Sequence, residues 1–329
     1  MSKVVRFHRL GGPEVLQIDE VEVRAAAAGE VRIQVTALGI NRAEAMYRSG
    51  AYTFTPAMPA QLGYEAAGTV ESIGPGVTEF SVGERVNVIP AFDFTEYGMY
   101  ADLVVAPVHA VVKQPSALSD VEAAATWMMF VTAYGALIDI ADLKRGETIL
   151  VRAASSSVGL AAIQIANYVG AIPVALTRKS DKRQALLDAG AAYVIATEEE
   201  DLVKEVNRIT IGKGARIAFD PVGGAEIAKI LDALSFLGTY FQYGALETSD
   251  LQIPVMQVLG KNLTIRGYQL FEVTNDAKRL ERAKAFITKG LEEGKLKPVV
   301  ARTFPFEKIV EAHKYMETNS QIGKIVVEV

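Results

Sequence analysis

Polar and apolar positions change their period about a third of the way along the chain. Over 31–37 (VRIQVTA) apolar residues alternate in part with polar ones, as a half-buried strand does. Residues 68–73, 85–89 and 103–106 read as further strands, set apart by turn residues at Gly11-Gly12-Pro13, Gly74-Pro75-Gly76 and Ser81-Val82-Gly83. From Thr148 onward, short apolar runs take over at 148–151, 173–176, 193–195, 216–219, 239–243 and 263–267. Between them, apolar residues recur with helical period over 158–169, 181–189, 200–210 and 225–234. Alternating strand and helix predicts an α/β fold with a doubly wound, six-stranded parallel sheet. Six strands in two halves of three is the dinucleotide-binding count of the Rossmann sheet. The tail predicts a charged amphipathic helix over 275–294, a strand near 299–304, a helix over 306–317 and a last strand over 324–329. The parallel sheet is complete by Gly267, so the tail is expected to return to the first domain. The predicted division is 1–122 with 269–329 as a β-rich, discontinuous catalytic domain, and 123–268 as the dinucleotide-binding domain.

Composition narrows the function classes. With 329 residues, 22% of them charged, and a net charge of −5, the chain has no basic surplus to seek nucleic acid or an anionic membrane. The longest apolar run, 123–140, is interrupted by Thr126, Thr132, Tyr134, Gly135 and Asp139, and is expected to be a buried helix rather than a span. Basic residues in 1–9 have no apolar stretch behind them, so no secretory leader is expected. Cysteine is absent, which removes disulfides and thiolate chemistry and fits a reducing cytoplasm. His8, His109 and His313 are scattered without ligand spacing, and no metal is expected.

The stretch 148–179 carries the clearest chemistry. A strand, a turn of small residues, a helix and a second strand form a unit whose helix N-terminus faces a diphosphate. The turn reads Ala154-x-Ser156-x-x-Gly159 where a glycine-rich fingerprint has three glycines. Ser155, Ser156, Ser157 and Val158 open the helix; the hydroxyls serve either a phosphate or an N-cap. A left-handed backbone at Ser156 would cost roughly 1–2 kcal/mol, so the turn is expected to be less tightly wound. After the second strand, Thr177-Arg178-Lys179 stand where an acid selects NAD. Thr177, Arg178 and Lys182 are therefore expected to hold a 2′-phosphate, making the cofactor NADPH; a solvated loop is the alternative. Asp181 is expected to cap the helix that follows.

Several separated motifs resemble the medium-chain dehydrogenase/reductase superfamily, in its zinc-free quinone oxidoreductase-like branch. Gly63-Tyr64-Glu65-Ala66-Ala67-Gly68 resembles the superfamily's Gly-His-Glu-x-x-Gly, and Asn41-Arg42-Ala43-Glu44 followed by Tyr47-Arg48-Ser49-Gly50 resembles the Asn-x-x-Asp … Arg-Ser-Gly segment of quinone reductases. Gly98-Met99-Tyr100-Ala101, Thr132-Ala133-Tyr134 and Asp220-Pro221-Val222-Gly223-Gly224 resemble further conserved turns. The resemblance implies a GroES-like first domain, a nicotinamide beside Thr132, and cofactor contacts from Val222 and from Lys324. It also implies a homodimer joined through the edge strands 263–267 of two cofactor domains. Zinc-dependent members carry cysteine and histidine where this chain has Asn41 and Tyr64.

Without a metal, hydride can still pass to an acceptor activated by conjugation, namely a quinone or an enone or enal. Such a site needs a hydrogen-bond donor for the developing oxyanion. Tyr52, after the Arg48-Ser49-Gly50 turn, is the expected donor, as the resemblance to enoyl reductases implies, or else an aromatic of the core or rim. Asn41 binds the carbonyl or the nicotinamide ribose or serves a turn, and Tyr64 either functions or fills the place of the lost metal. Tyr47 and Phe130 are expected pocket walls. Because ligands gather at the carboxyl ends of parallel strands, Gly223, Tyr243, Gly244 and Leu246 are expected at the cofactor, with Leu270 and Phe271 beside the nicotinamide. Arg266 reaches ligand or forms an ion pair. The alternatives are an NADPH-binding protein without turnover, and a zinc-type alcohol dehydrogenase.

Overall fold

The computed structural model describes residues 1–93 and 95–329. Its sixteen strands among these residues, β1 to β16 in chain order, fall into two compact units, Met1–Met128 with Pro298–Val329, and Met129–Lys297.

In the first unit, β1 (Ser2–Phe7), β2 (Leu16–Val21) and the short β4 (Ala60–Gln61) form a small antiparallel sheet in the order β2-β1-β4. The main sheet is built around β3 (Glu30–Ile40), which pairs antiparallel with β5 (Ala66–Ile73), β7 (Leu103–Pro107) and β16 (Lys324–Glu328). On the outer flanks lie β6 (Arg85–Val88), β8 (Val111–Lys113) and β15 (Val300–Pro305). Val31, Ile33, Val35, Ala37 and Leu38 of β3 are buried, so the half-alternating pattern in the sequence does mark a core strand.

In the second unit, β9 (Thr148–Val151), β10 (Ile172–Thr177), β11 (Tyr193–Ala196), β12 (Ala215–Asp220), β13 (Leu234–Gln242) and β14 (Thr264–Gly267) make one sheet in the order β11-β10-β9-β12-β13-β14. Every neighbouring pair is parallel. This is the Rossmann order, with the reversal between β9 and β12 that opens a ligand crevice at the strands' carboxyl ends. Ile149, Leu150 and Val151 have essentially no exposed surface, as parallel strands covered on both faces require. The helix Ser157–Val169 after β9 is capped by Ser156, whose Oγ accepts from Gly159 N at 3.1 Å, and stops at the left-handed Gly170.

The apolar run of 123–140 is helical, as expected, but in pieces: Asp120–Ala124, Trp127–Tyr134, then a wider π-helical turn over Gly135–Ile140. Gly135 is required there, because a Cβ would lie 2.0 Å from the Tyr268 hydroxyl oxygen. No described helix is long and apolar enough to cross a membrane.

The domain boundaries differ from the sequence expectation. They fall at 128/129 and 297/298, not at 122/123 and 268/269. The helix Ala277–Glu292 stays with the second unit: Arg279 and Arg282 hold Asp139 at 2.6 and 3.0 Å, and Phe286 packs on Tyr134 and Tyr168 at 5.2 and 5.1 Å. Completing the strand count did not end the domain, because the sheet's neighbouring helices still needed an apolar cover.

Candidate active site

Three strand ends converge in the first unit. Register places Ile325 of β16 opposite Ile40 of β3, and Leu38 of β3 opposite Ala66 of β5. Asn41 just after β3, Glu65 just before β5 and Lys324 at the start of β16 therefore meet. The Lys324 ammonium donates to the Glu65 carboxylate and to Asn41 Oδ1, with Lys324 and Glu65 each 1% exposed. Asn41 Nδ2 donates to Glu65 Oε1 at 3.2 Å, and Met128 N donates to Glu65 Oε2 at 2.9 Å. Gly39 makes room: a Cβ there would lie 2.6 Å from Glu65 Oε1 and 2.9 Å from Lys324 Cε.

A second buried carboxylate sits one helical turn on. Glu44, in the helix Arg42–Ser49, accepts from Asn41 N at 2.6 Å, Tyr64 N at 3.1 Å and the Tyr100 hydroxyl at 2.5 Å. Complete burial pushes its carboxyl up to about 7, opposed by the bonds from Tyr100 and Asn41. On the far side of Tyr100, His313 lies edge-on at 5.8 Å, and its Nδ1 accepts at 3.1 Å from Arg48, which also donates to Glu317 at 2.5 Å. Burial, then Arg48 and Arg42, hold His313 down to about 3, so it is neutral at ordinary pH.

Beside these charges stands an aromatic group. Gly63 adopts a left-handed φ of 111°, and a Cβ there would strike the backbone nitrogens of Met99 and Tyr100 at 2.8 and 2.7 Å. That turn, with the Glu44 tether on its amide, aims the fully buried Tyr64 at Tyr52; the two hydroxyls are 3.1 Å apart. Tyr52 is half-buried, and its ring meets Tyr47 at 6.4 Å and Phe54 at 5.2 Å, both edge-on. Burial pushes the phenols of Tyr52 and Tyr64 upward, so both keep their protons at neutral pH.

In the second unit, the turn between β9 and its helix takes its left-handed residue at Ala153 (φ 49°), whereas Ser156 is extended (φ −70°, ψ 159°). The strain moved upstream from the site where the fingerprint suggested it. Gly159 is indispensable, since a Cβ there would lie 2.7 Å from the Ala154 carbonyl oxygen and 2.8 Å from that of Ala153. Lys182 Nζ donates to Ser155 Oγ at 3.3 Å, so the segment after β10 reaches back to the turn. Arg178 is exposed and Thr177 half-buried beside it. Asp181 does not cap the next helix; it lies in a short 3-10 turn, and the helix Arg183–Asp188 starts without a side-chain cap.

The ends of β12 and β13 are laced together. Asp220 accepts from Val222 N at 2.6 Å, Arg152 at 2.9 Å and the Tyr240 hydroxyl at 2.8 Å. Leu246 N and Glu247 N bond to the carbonyls of Pro221 and Val222, both at 3.0 Å. Gly223 is left-handed (φ 78°), and a Cβ on Gly244 would come within 2.8 Å of the Pro221 carbonyl oxygen. Tyr243 stacks on Phe219 at 3.9 Å, and its buried hydroxyl lies beside Ser156 without closing a hydrogen bond of normal geometry. An orphaned phenol beside the turn is a ready donor for a ligand seated there. Leu270 is buried and Phe271 half-buried at the start of the helix Phe271–Thr274, and Arg266 is spent on an ion pair with Glu272 at 2.5 Å.

Residues 27–116 match the family described as alcohol dehydrogenase GroES-like domain, and residues 157–285 the family described as zinc-binding dehydrogenase. Human quinone oxidoreductase is 32% identical over 99% of this chain and 98% of its own length. The Escherichia coli quinone oxidoreductase solved with NADPH superposes with a TM-score of 0.91 at 30% identity, covering 99% of this chain and 100% of that one. An NAD-dependent alcohol dehydrogenase superposes with a TM-score of 0.91 at 31% identity, over 99% of both chains. The chain belongs to the medium-chain dehydrogenase/reductase superfamily, in its quinone oxidoreductase-like branch. It is an oxidoreductase of that family.

The structure thus sorts the residues singled out in the sequence. In the first unit it gathers Asn41, Tyr52, Tyr64 and Lys324 with Glu44, Glu65 and Tyr100, which sequence reasoning had not ranked. In the second it gathers Ser155, Ser156, Ser157, Val158, Lys182 and Tyr243 about one turn, and Val222, Gly223, Gly244 and Leu246 about the adjoining loops. Thr132 is buried in the helix Trp127–Tyr134. Tyr47 and Phe130 are core residues, 2% and 0% exposed. Among the described residues no three His, Cys, Asp or Glu side chains converge to hold a metal ion.

Proposed function

We propose that this chain is an NADPH-dependent, metal-free reductase of quinones or α,β-unsaturated carbonyls. The observation that carries the assignment is the Tyr52–Tyr64 hydroxyl pair, in the same unit as an Asn41 amide bonded to Lys324 and Glu65. Where zinc-dependent members carry cysteine and histidine, this chain has an amide, Asn41, bonded to the Lys324–Glu65 ion pair, and a phenol, Tyr64. Bound dinucleotide supplies the hydride. Tyr52 holds a proton for the oxygen that gains charge as the acceptor is reduced.

The dinucleotide fits the second unit. Ser155, Ser156, Ser157 and Val158 present hydroxyls and helix N-terminal amides to the diphosphate. Thr177, Arg178 and Lys182 take the 2′-phosphate, and Tyr243, Gly223, Gly244 and Leu246 line the ribose and amide side. Thr132, Leu270, Phe271 and Val222 border the nicotinamide. A charge-assisted bond to phosphate is worth about 1.5–3 kcal/mol, so Arg178→Ala or Lys182→Ala is expected to weaken NADPH binding roughly 10–100-fold and NADH binding little. Fluorescence titration with both coenzymes checks this; equal losses for the two would remove the 2′-phosphate assignment.

We further infer a homodimer joined through β14. This strand is the sheet's edge, and the helix leading into it exposes Val255, Met256 and Leu259 at 72, 75 and 65%, with Phe236 and Leu237 at 62 and 58%. An unpaired edge flanked by that much apolar surface suits a second copy of itself. Light scattering is expected to give a dimer for the native chain and a monomer for Met256→Glu with Leu259→Glu. A native monomer at micromolar concentration would end the proposal.

A further inference from the structure

We propose that Tyr64 is a positioning residue for Tyr52: its hydroxyl donates to the Tyr52 oxygen and so turns the Tyr52 O–H away, toward the acceptor. The proposal deepens the function above, resting on the role given there to Tyr52.

Either hydroxyl could donate across this contact, and the deeper anchoring of Tyr64 is what assigns it the donor's part. Tyr64 has no exposed surface, and its amide is fixed on Glu44 at 3.1 Å behind the left-handed Gly63. Its hydroxyl lies 3.1 Å from that of Tyr52, at hydrogen-bond distance. Tyr52 is the less buried of the two and meets Tyr47 and Phe54 edge-on, while Tyr47 and Phe54 meet each other tilted at 5.4 Å. The ring contacts hold the plane of Tyr52, and the bond to Tyr64 acts on the torsion of its O–H. A donor fixed in the core sets that torsion, because an oxygen that accepts one bond turns its own hydrogen elsewhere. Burial first of all, then the charge on Tyr52 and the bond to it, raises the Tyr64 phenol strongly; burial raises Tyr52 as well, with the bond to Tyr64 opposing. A metal ligand's place in the fold is thereby taken by a group acting at one remove, through the hydroxyl it orients.

The test is a double-mutant cycle on the full chain with NADPH and a quinone. Tyr64→Phe keeps the ring and removes only the hydroxyl. It is expected to lower kcat roughly three- to tenfold, the effect of one neutral hydrogen bond, with KM unchanged within about twofold. In the Tyr52→Phe background the same substitution is expected to change kcat not at all. An equal loss in both backgrounds, or none in either, would overturn the proposal. A second readout needs no turnover: in chain labelled at tyrosine Cζ, Tyr64→Phe is expected to shift the Tyr52 resonance, assigned from Tyr52→Phe. A stationary Tyr52 signal would overturn the pairing even if catalysis were lost. If the native chain reduces no quinone or enone, the function assigned to Tyr52 fails, and the labelled signal alone decides whether Tyr64 donates to it.

Discussion

Replacing Lys324 with methionine is expected to destabilise the chain by about 3–5 kcal/mol, the loss incurred when one member of a buried ion pair is removed. Glu65 would be left at 1% exposure without its cation, with Asn41 and the Met128 amide as the remaining partners of its side chain. Calorimetry or far-UV circular dichroism should show the melting temperature falling by roughly 10 °C, since about 1 kcal/mol is worth 2–4 °C at this domain size. Adding Glu65→Gln removes the stranded charge and should recover more than half of the loss. The pair also separates two roles for Lys324. If it contacts cofactor, as the family resemblance implied, NADPH affinity measured well below the melting point drops with the charge. If its work is confined to Glu65 and Asn41, affinity is unchanged and only stability moves. The contacts in the first unit favour the second outcome. A single substitution with no effect on melting would show that Glu65 had never depended on Lys324.

Tyr52→Phe is expected to reduce kcat and kcat/KM alike, by roughly 10²–10³-fold, as losing a donor to a developing oxyanion does. The equal fall matters more than its size. A donor that acts only as charge develops leaves the acceptor's ground-state binding intact, so KM stays put. Steady-state rates with a benzoquinone and with an enone should show the same proportional loss, because both place charge on an oxygen. Loss confined to KM would make Tyr52 a binding wall. No loss at all would move the proton source to another group. The fold is expected to tolerate the change, since Phe keeps the edge-on contacts with Tyr47 and Phe54.

The parallel sheet was legible from sequence because its strands are apolar on both faces and its helices keep their period. All six runs fall on β9 to β14, and Gly159, the glycine kept from the fingerprint, lies in the first turn of the helix after β9. Pairing across long sequence distance was not legible. Nothing in the chain around Glu65 says that Lys324 lies against it; the register of β3 with β5 and β16 says so. The same holds for Glu44 with Tyr100 and for Arg48 with His313, where short polar motifs meet through backbone geometry. The packing of the helix Ala277–Glu292 in the second unit was not legible either, because strand counting ignores which helix faces still need cover. Asp181 looked like a cap by residue type, yet the chain tightens into a 3-10 turn there and passes the helix start to Arg183. Neither β1 nor β2 was foreseen, since Val4, Val5 and Phe7 are spread among basic residues.

The central claim is hydride transfer from NADPH to a conjugated acceptor by a site that uses a phenol and a buried ion pair in place of a metal. Its most direct test is anaerobic loss of the reduced-nicotinamide absorbance when metal-stripped native chain is mixed with a panel of quinones and enones. The expected result is catalytic decay with NADPH, clearly slower decay with NADH at equal concentration, and no change on adding zinc. Tight NADPH binding with no decay against any acceptor, or activity that appears only when zinc is restored, would contradict the account.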